Sequence, residues 1–146
     1  MVKVALLVGV SEYQSGFSPL PKARRDVEEM QKILQNREMD GFDQIKPLID
    51  PDPQTMRVEI ESLFTGRSKE DLVLLFFSGH GIKDDRGKLY FATRDTHKTT
   101  TGELIRSTAV EAGFIQELMS NSRCKRQVVI LDCCFSGAFA EGMGAK

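Results

Sequence analysis

The sequence is poor in the features that mark several common protein classes. Its 146 residues include only three cysteines, and this odd number argues against the disulfide framework of a small secreted domain. Two of them, Cys133 and Cys134, are adjacent and lack the spacing of zinc ligands, and no histidine pair is present to complete a zinc site. We therefore expect free thiols, a reducing cytoplasmic setting and no zinc.

Long apolar runs and an excess of charge of one sign are also missing. No apolar stretch approaches the roughly 20 residues that span a bilayer. The short apolar segment at residues 1–10 lacks the length and cleavage site of a signal peptide. The net charge of −1 gives no general attraction to nucleic acid or to anionic lipid. Neither nucleic acid nor a membrane is an expected partner.

What the sequence does contain is an alternation of apolar and amphipathic segments. Runs typical of buried strands lie at residues 4–8, 44–48, 71–77 and 127–131. Helical spacing of apolar residues follows Pro21, Pro53 and Thr108. This alternation predicts an α/β fold with an open, mostly parallel sheet and helices on both faces. We expect one domain over residues 1–146, which is an ordinary domain length.

Three local features of this prediction are more specific. Residues 88–93 are expected to form a small hairpin outside the main sheet, after a turn signal at Asp84–Gly87. The polar residues 95–107 are expected to form an exposed loop. Thr108 and Glu111 have the spacing of a capping box, which predicts that the third helix opens there.

Two predicted strands end in residues that can carry chemistry. The predicted strand at residues 71–77 is followed by Ser78-Gly79-His80-Gly81. The strand at residues 127–131 is followed by Asp132-Cys133-Cys134-Phe135-Ser136-Gly137. Because ligands gather at the carboxyl ends of parallel strands, neighbouring strands would bring the imidazole and a thiol to the same edge. A free thiol has a pKa of about 8.5, and an imidazole that takes its proton turns it into a nucleophile.

Several alternatives remain open at this point. His80 by itself would be a strand-terminal histidine bonded to backbone, but its two flanking glycines favour a tight turn that substrate can approach. His97 lies in the polar loop and is expected to be solvated. Because successive strand residues point to opposite faces, only one of Cys133 and Cys134 can face the cleft, and the other is a small buried apolar residue. A dithiol redox role is disfavoured, since adjacent cysteines do not readily form an unstrained disulfide.

Together the two motifs resemble those of the caspase-like cysteine peptidases, most closely the metacaspases and orthocaspases. The separation of His80 and Cys134, 134 − 80 = 54 residues, is close to the spacing of roughly 50 in caspases. The resemblance implies a caspase-like, three-layer α/β fold. It also implies that the chain is the large catalytic subunit, whose open sheet is completed by a small subunit from the same precursor, in a monomer of two subunits.

The resemblance also assigns roles to five residues. It makes Cys134 the nucleophile and His80 the catalytic histidine, with the backbone N–H groups of Gly81 and Cys134 as the oxyanion hole. It places Asp132 and Asp26 in the pocket for the substrate residue before the scissile bond, P1. Two carboxylates there would select Arg or Lys. The competing interpretations are a helix-start acid for Asp26 and a strand-end capping residue for Asp132.

The sequence departs from the metacaspase pattern at a few positions. Ala23 stands where the family has cysteine in its Cys-x-x-Asp segment, and Phe135 replaces a common histidine. Many metacaspases require calcium, which needs six or more oxygen ligands. Asp84 and Asp85 are present, but the acids expected further along are missing. We therefore predict no high-affinity calcium site and no cofactor.

The sequence thus predicts a cysteine endopeptidase that cleaves after Arg or Lys through an acyl-enzyme. Its alternative is a catalytically weak caspase-like scaffold or interaction module. A peptidase of this specificity could also produce the Lys146 terminus by cutting its own precursor, although an arbitrary end of the sequence explains that terminus equally well.

Overall fold

The structure of the chain is a computed structural model. It describes residues 1–39, 41–135 and 138–139. Its strands are β1 (Lys3–Gly9), β2 (Gln44–Ile49), β3 (Leu72–Ser78), β4 (Gly81–Lys83), β5 (Leu89–Ala92), β6 (Ala109–Glu111) and β7 (Arg126–Asp132). Its α-helices are α1 (Pro21–Gln35), α2 (Pro53–Phe64) and α3 (Ala112–Asn121). None of these helices is long and apolar enough to cross a membrane.

The main sheet has the strand order β2-β1-β3-β7, and every neighbouring pair is parallel. The pairing aligns the carboxyl ends of the strands, because Gly9 pairs with both Ile49 and Ser78, and Ser78 pairs with Asp132. All four strands predicted from apolar runs are present in this sheet, as the sequence analysis anticipated. The predicted class, an open parallel sheet in an α/β fold, is confirmed.

Both faces of the sheet centre are buried, which explains why its strands are continuously apolar. On one face Ala5 and Leu7 of β1 share a core with Val27 of α1. On the other face the intervening residues of β1 share a core with Met56 and Ile60 of α2. The three layers predicted from the alternation of segments are therefore confirmed.

The start of α2 follows the sequence signals closely. The Asp52 carboxylate accepts the backbone N–H of Thr55 at 2.7 Å, and Pro53 occupies the first helical position. An oxygen acceptor at this position satisfies an amide that the helix itself leaves unpaired. The cap therefore fixes where the crossover from β2 to β3 turns onto the second face of the sheet.

A second, antiparallel sheet has the order β4-β5-β6. Strand β5 lies within the residues predicted to form a hairpin, 88–93, but its hairpin partner β4 comes before the Asp84–Gly87 turn. The predicted capping box is wrong. Thr108 ends a short 3-10 turn and donates its hydroxyl to the Ile105 carbonyl, while α3 begins only at Ala112 with no side-chain cap from Glu111. The reason is that residues 109–111 pair with β5, a contact that local sequence spacing does not encode.

The loop at residues 95–107 also differs from the prediction in one respect. Thr96 is fully buried, and its hydroxyl donates to the Thr108 carbonyl at 2.5 Å. Thr93, buried beside it, donates to the same carbonyl at 2.9 Å. The two hydroxyls bind the loop to the second sheet. The loop is therefore buried at Thr96 and is not, as the sequence had predicted, exposed throughout.

Strand β7 has no further strand on its outer side within the described residues. Val128 and Ile130 are 41% and 36% exposed, although their partners across the sheet, Leu74 and Phe76, are buried. These residues lie on the same face as α1. The exposed apolar side chains of this face and the unpaired backbone groups along the free edge of β7 are both features that proteins usually cover.

The two sheets are joined by an aromatic contact whose removal can be measured. Phe77 is 2% exposed and its ring centroid lies 5.0 Å from that of Phe91. Substituting Phe77→Ala is expected to lower the free energy of unfolding by about 3–5 kcal/mol, because it leaves a cavity in the core. The matched change Phe135→Ala, at a half-exposed ring, should cost less than about 1 kcal/mol. Urea unfolding compares the two, and equal losses would contradict this account of the core.

Candidate active site

The candidate site lies where the strand order of the main sheet reverses. From β1 the chain moves to β2 on one side, and α2 then carries it back to β3 on the other side. Loops that leave such a point diverge, which opens a crevice beyond the carboxyl ends of the strands. The segments after β1, β3 and β7 all start at this edge. His80 follows β3 and Cys134 follows β7.

The imidazole of His80 is held by a backbone carbonyl. Its Nε2 lies 2.8 Å from the carbonyl oxygen of Ser18. A carbonyl oxygen can only accept a hydrogen bond, so Nε2 carries the proton in the neutral ring. Nδ1 is then the basic nitrogen and is the atom that can take a proton from a thiol.

Two aromatic residues of the β1–α1 loop also contact His80. The hydroxyl of Tyr13 accepts the backbone N–H of His80 at 2.9 Å. The ring centroids of Tyr13 and Phe17 lie 4.6 Å and 5.8 Å from that of the imidazole. From the sequence alone, neither Tyr13 nor Phe17 had received a role. The available signal was the pair of aromatic residues in a segment otherwise rich in Ser, Gly and Pro.

The two adjacent thiols occupy different environments. Cys133 is half-buried and packs against the larger core. Burial first, and then the nearby Cys134 and Asp132, raise the pKa of Cys133 to about 11. Cys134 is exposed. Because a thiol reacts as its thiolate, this geometry favours Cys134 as the reactive sulfur and leaves Cys133 as a packing residue.

The turn at His80 lies directly against the segment that carries the thiols. The N–H of Gly79 donates to the Asp132 carbonyl at 3.3 Å. A β-carbon placed on Gly81 would lie 2.2 Å from the carbonyl oxygen of Cys134. The φ angle of neither glycine is in the left-handed region. Glycine is needed at these positions because the chain's own atoms lie too close for a side chain, not because of an unusual turn.

The backbone N–H of Gly81 points away from the β4–β5 hairpin. The N–H of Ala92 donates to the His80 carbonyl at 3.0 Å, which makes Gly81 and Phe91 a non-hydrogen-bonded pair of the antiparallel ladder. In such a pair the backbone N–H is directed outward, away from the neighbouring strand. The Gly81 N–H is thus left for a group outside the hairpin.

The two acids singled out from the sequence lie on either side of Ser78. The hydroxyl of Ser78 donates to Asp26 Oδ2 at 3.0 Å. Across the sheet, Ser78 pairs in register with Asp132, which is exposed. Asp26 lies beyond the first turn of α1, so the helix-start explanation for this acid does not hold. The structure thus brings both carboxylates to the sheet edge that carries His80.

The residue after Cys134 has an unusual backbone conformation. Phe135 has a φ of 64°, which is uncommon for a residue with a bulky side chain. The ammonium of Lys83 lies 5.0 Å from the centre of its half-exposed ring. Phe139, further along, is buried, and its carbonyl accepts the side-chain amide of Gln116 at 2.8 Å. These contacts join Phe135 to β4 and Phe139 to α3.

The acids near the β4–β5 turn are those that the sequence suggested as possible calcium ligands. Asp84 Oδ1 accepts the N–H groups of Arg86 and Lys88, while its Oδ2 is buried without a hydrogen-bond partner in the described chain. No group of three or more His, Cys, Asp or Glu side chains there or elsewhere in residues 1–39, 41–135 and 138–139 could hold a metal ion. One orphaned oxygen does not supply the six or more that calcium requires. Independence of calcium stays a prediction.

Comparison with known proteins identifies the family. The model of a protein family described as "Caspase domain" matches residues 2–145, which is nearly the whole chain. The chain belongs to the caspase-domain family. Membership supports a function of the cysteine-peptidase type in general. A search of curated proteins finds no match.

A solved structure shows the same fold as this caspase domain. The crystal structure of protein GSU0716 from Geobacter sulfurreducens has a TM-score of 0.69 and 18% sequence identity to it. The similarity covers 92% of this chain and 51% of that one. The caspase domain described above therefore spans about half the length of that protein.

The close approach of Gly81 to Cys134 can be tested by a pair of glycine substitutions. Gly81→Ala is expected to lower the free energy of unfolding by about 1–3 kcal/mol, since its β-carbon would meet backbone that cannot move aside cheaply. Gly113→Ala is the control, because a β-carbon there meets only the flexible Glu111 carboxylate at 3.1 Å and alanine favours the helix by about 0.5–1 kcal/mol. Urea unfolding decides, and a neutral Gly81→Ala would show that the two backbone segments do not touch.

Proposed function

We propose that this caspase domain is a cysteine endopeptidase that cleaves peptides after Arg or Lys. One observation supports it above the others. The exposed Cys134 and the carbonyl-held His80 follow directly paired strand ends, since Ser78 is in register with Asp132. A nucleophile, a base and a group that orients the base are the parts that nucleophilic catalysis requires.

In the proposed reaction, His80 Nδ1 takes the proton of the Cys134 thiol, and the thiolate attacks the scissile carbonyl carbon. The resulting tetrahedral intermediate collapses when the C–N bond breaks, and the imidazolium gives its proton to the leaving amine. The product of this step is a thioester between Cys134 and the substrate. Water, deprotonated by the same imidazole, then attacks the thioester and releases the acid and the free thiol.

The oxyanion of the intermediate would be stabilised by the backbone N–H groups of Gly81 and Cys134. The outward direction of the Gly81 N–H and the close packing of Gly81 on Cys134 support this role. Fixed donors of this kind are commonly the largest electrostatic contribution to acyl transfer.

The preference for a basic P1 residue would come from Asp26 and Asp132. Two carboxylates on either side of Ser78 can accept hydrogen bonds from a guanidinium or an ammonium. The same pair would repel an aspartate at P1. This charge pattern supports a specificity of the metacaspase and orthocaspase type.

A small subunit from the same precursor is the proposed partner. The free edge of β7 and the exposed Val128 and Ile130 support it, because an added strand and its helix would cover both. The greater length of the Geobacter protein is in keeping with such an addition. Processing after Lys146 also stays a prediction, and that residue lies outside the described part of the chain.

The proposed activity is tested with fluorogenic peptides that carry Arg, Lys or Asp at P1, using the protein as its gene encodes it. We expect hydrolysis of the Arg and Lys peptides only, its abolition by Cys134→Ala, and its retention in Cys133→Ala, which removes a packing thiol. Loss in Cys133→Ala alone would overturn the choice of nucleophile. Absence of any thiol-dependent hydrolysis would instead support the scaffold alternative.

The specificity pocket is tested by neutralising its acids. Asp26→Asn and Asp132→Asn should each lower kcat/KM for Arg peptides by about 10- to 100-fold, the range of a lost charge-assisted hydrogen bond. Asparagine at position 26 can still accept the Ser78 hydroxyl, so a purely structural carboxylate would tolerate this change. Glu70→Gln, at the opposite end of β3, is the matched control. A loss as large in this control would contradict the pocket assignment.

A further inference from the structure

We infer that Tyr13 is a positioning residue for His80, which holds the imidazole in the tautomer that the proposed reaction needs. Tyr13 makes no contact with the reacting atoms in this account. It acts through His80, by a hydrogen bond to the histidine's backbone and by contact with its ring. The inference deepens the proposed function and rests on it, although one of its tests does not measure activity.

The backbone of His80 has little stiffness of its own. It lies between Gly79 and Gly81, and glycine has more conformational freedom than any other residue. The hydroxyl of Tyr13 binds the His80 N–H at 2.9 Å. It also lies 2.8 Å from the place that a β-carbon on Gly79 would occupy. The Tyr13 side chain is therefore packed so closely against the Gly79–Gly81 turn that it restricts the position of the turn.

The same loop restricts the imidazole ring. The Tyr13 ring packs against it at 4.6 Å, and the Ser18 carbonyl, five residues along the loop, accepts its Nε2–H at 2.8 Å. Since one segment holds both the backbone and the far nitrogen of His80, the ring orientation depends on the loop being in one place. Loss of the Tyr13 hydrogen bond would let the turn move relative to Ser18.

The loop is in turn anchored to the end of β2. Asp50 Oδ1 accepts the N–H groups of Ser11 at 2.7 Å and Glu12 at 3.1 Å. Asp50 has a φ of 49°, and backbone strain of this kind persists only where surrounding contacts impose it. At the other end of the loop, the Leu20 N–H donates to the Ser11 carbonyl at 2.8 Å. Tyr13 thus projects from a braced loop, as a positioning role requires.

The protonation state of Tyr13 is constant over the working range. Burial raises the pKa of its hydroxyl well above the ordinary value. The group therefore stays a neutral phenol at the pH values at which cysteine peptidases are assayed. Any change in the pH profile of a Tyr13 variant must come from other groups.

The chain offers a matched control, because it contains only two tyrosines and two histidines. Tyr90 is buried in β5, so Tyr90→Phe removes a hydroxyl without touching His80. His97 provides an internal reference, since its Nδ1 lies 2.9 Å from the Asp95 carbonyl and so carries the proton. The two histidines therefore have opposite tautomers, which ¹⁵N NMR of the imidazoles distinguishes.

The experiment compares Tyr13→Phe, Tyr13→Leu and Tyr90→Phe with the wild type. In Tyr13→Phe we expect kcat for an Arg peptide to fall about 3- to 10-fold with KM unchanged, the size of one lost hydrogen bond. Tyr13→Leu, which also loses the ring contact, should fall further. In both Tyr13 variants, the population of the Nδ1–H tautomer of His80 should increase, while the tautomer of His97 stays the same. Tyr90→Phe should change neither the ¹⁵N signals of the two histidines nor kcat.

The inference is overturned if Tyr13→Phe keeps the wild-type His80 tautomer, whatever its activity. It is also overturned if Tyr90→Phe shifts that tautomer equally, since the effect would then be a general loss of packing. If the wild type hydrolyses no basic substrate, the proposed function fails. The NMR comparison alone then decides whether Tyr13 orients His80.

Discussion

The structure depends on the parallel pairing of β3 with β7. The register places Ser78 opposite Asp132, and His80 and Cys134 each lie two residues further, since 80 − 78 and 134 − 132 are both 2. Equal offsets from a shared register bring the two groups to one edge without any direct bond between them. A slip of one residue would turn each side chain of the strand to the other face. The apolar residues that β3 buries fully and β7 buries in part therefore also fix the alignment of His80 with Cys134.

Around this pair, the site is built from backbone more than from side chains. A carbonyl orients the imidazole, a backbone N–H is bound by Tyr13, and two glycines let neighbouring segments approach. The acids are held less firmly: Asp26 has one bond to Ser78, and Asp132 is exposed at the end of the edge strand. Such an arrangement suits the proposed reaction, whose base must be oriented before substrate arrives.

The sequence was informative wherever a signal was local or periodic. Apolar runs predicted the four parallel strands, and the helical spacing of apolar residues after Pro53 predicted α2, because burial leaves a pattern within a few residues. It failed at Thr108 and Glu111, where the spacing of a capping box was overridden by pairing with β5. It did not find Tyr13 or Ser18, because their partner His80 is more than 60 residues away along the chain.

The amino-acid sequence by itself determined the fold class, the two motifs and the residue types available for chemistry. The fold class follows from hydrophobic periodicity. The motifs follow from Cys, His and Asp residues placed directly after predicted strands. Only the tertiary structure decided which thiol is exposed, which imidazole nitrogen carries the proton and what surrounds the base. Each of these depends on burial or on a hydrogen bond between distant segments, and the free energies of such contacts are set by the packed chain and not by neighbours in sequence.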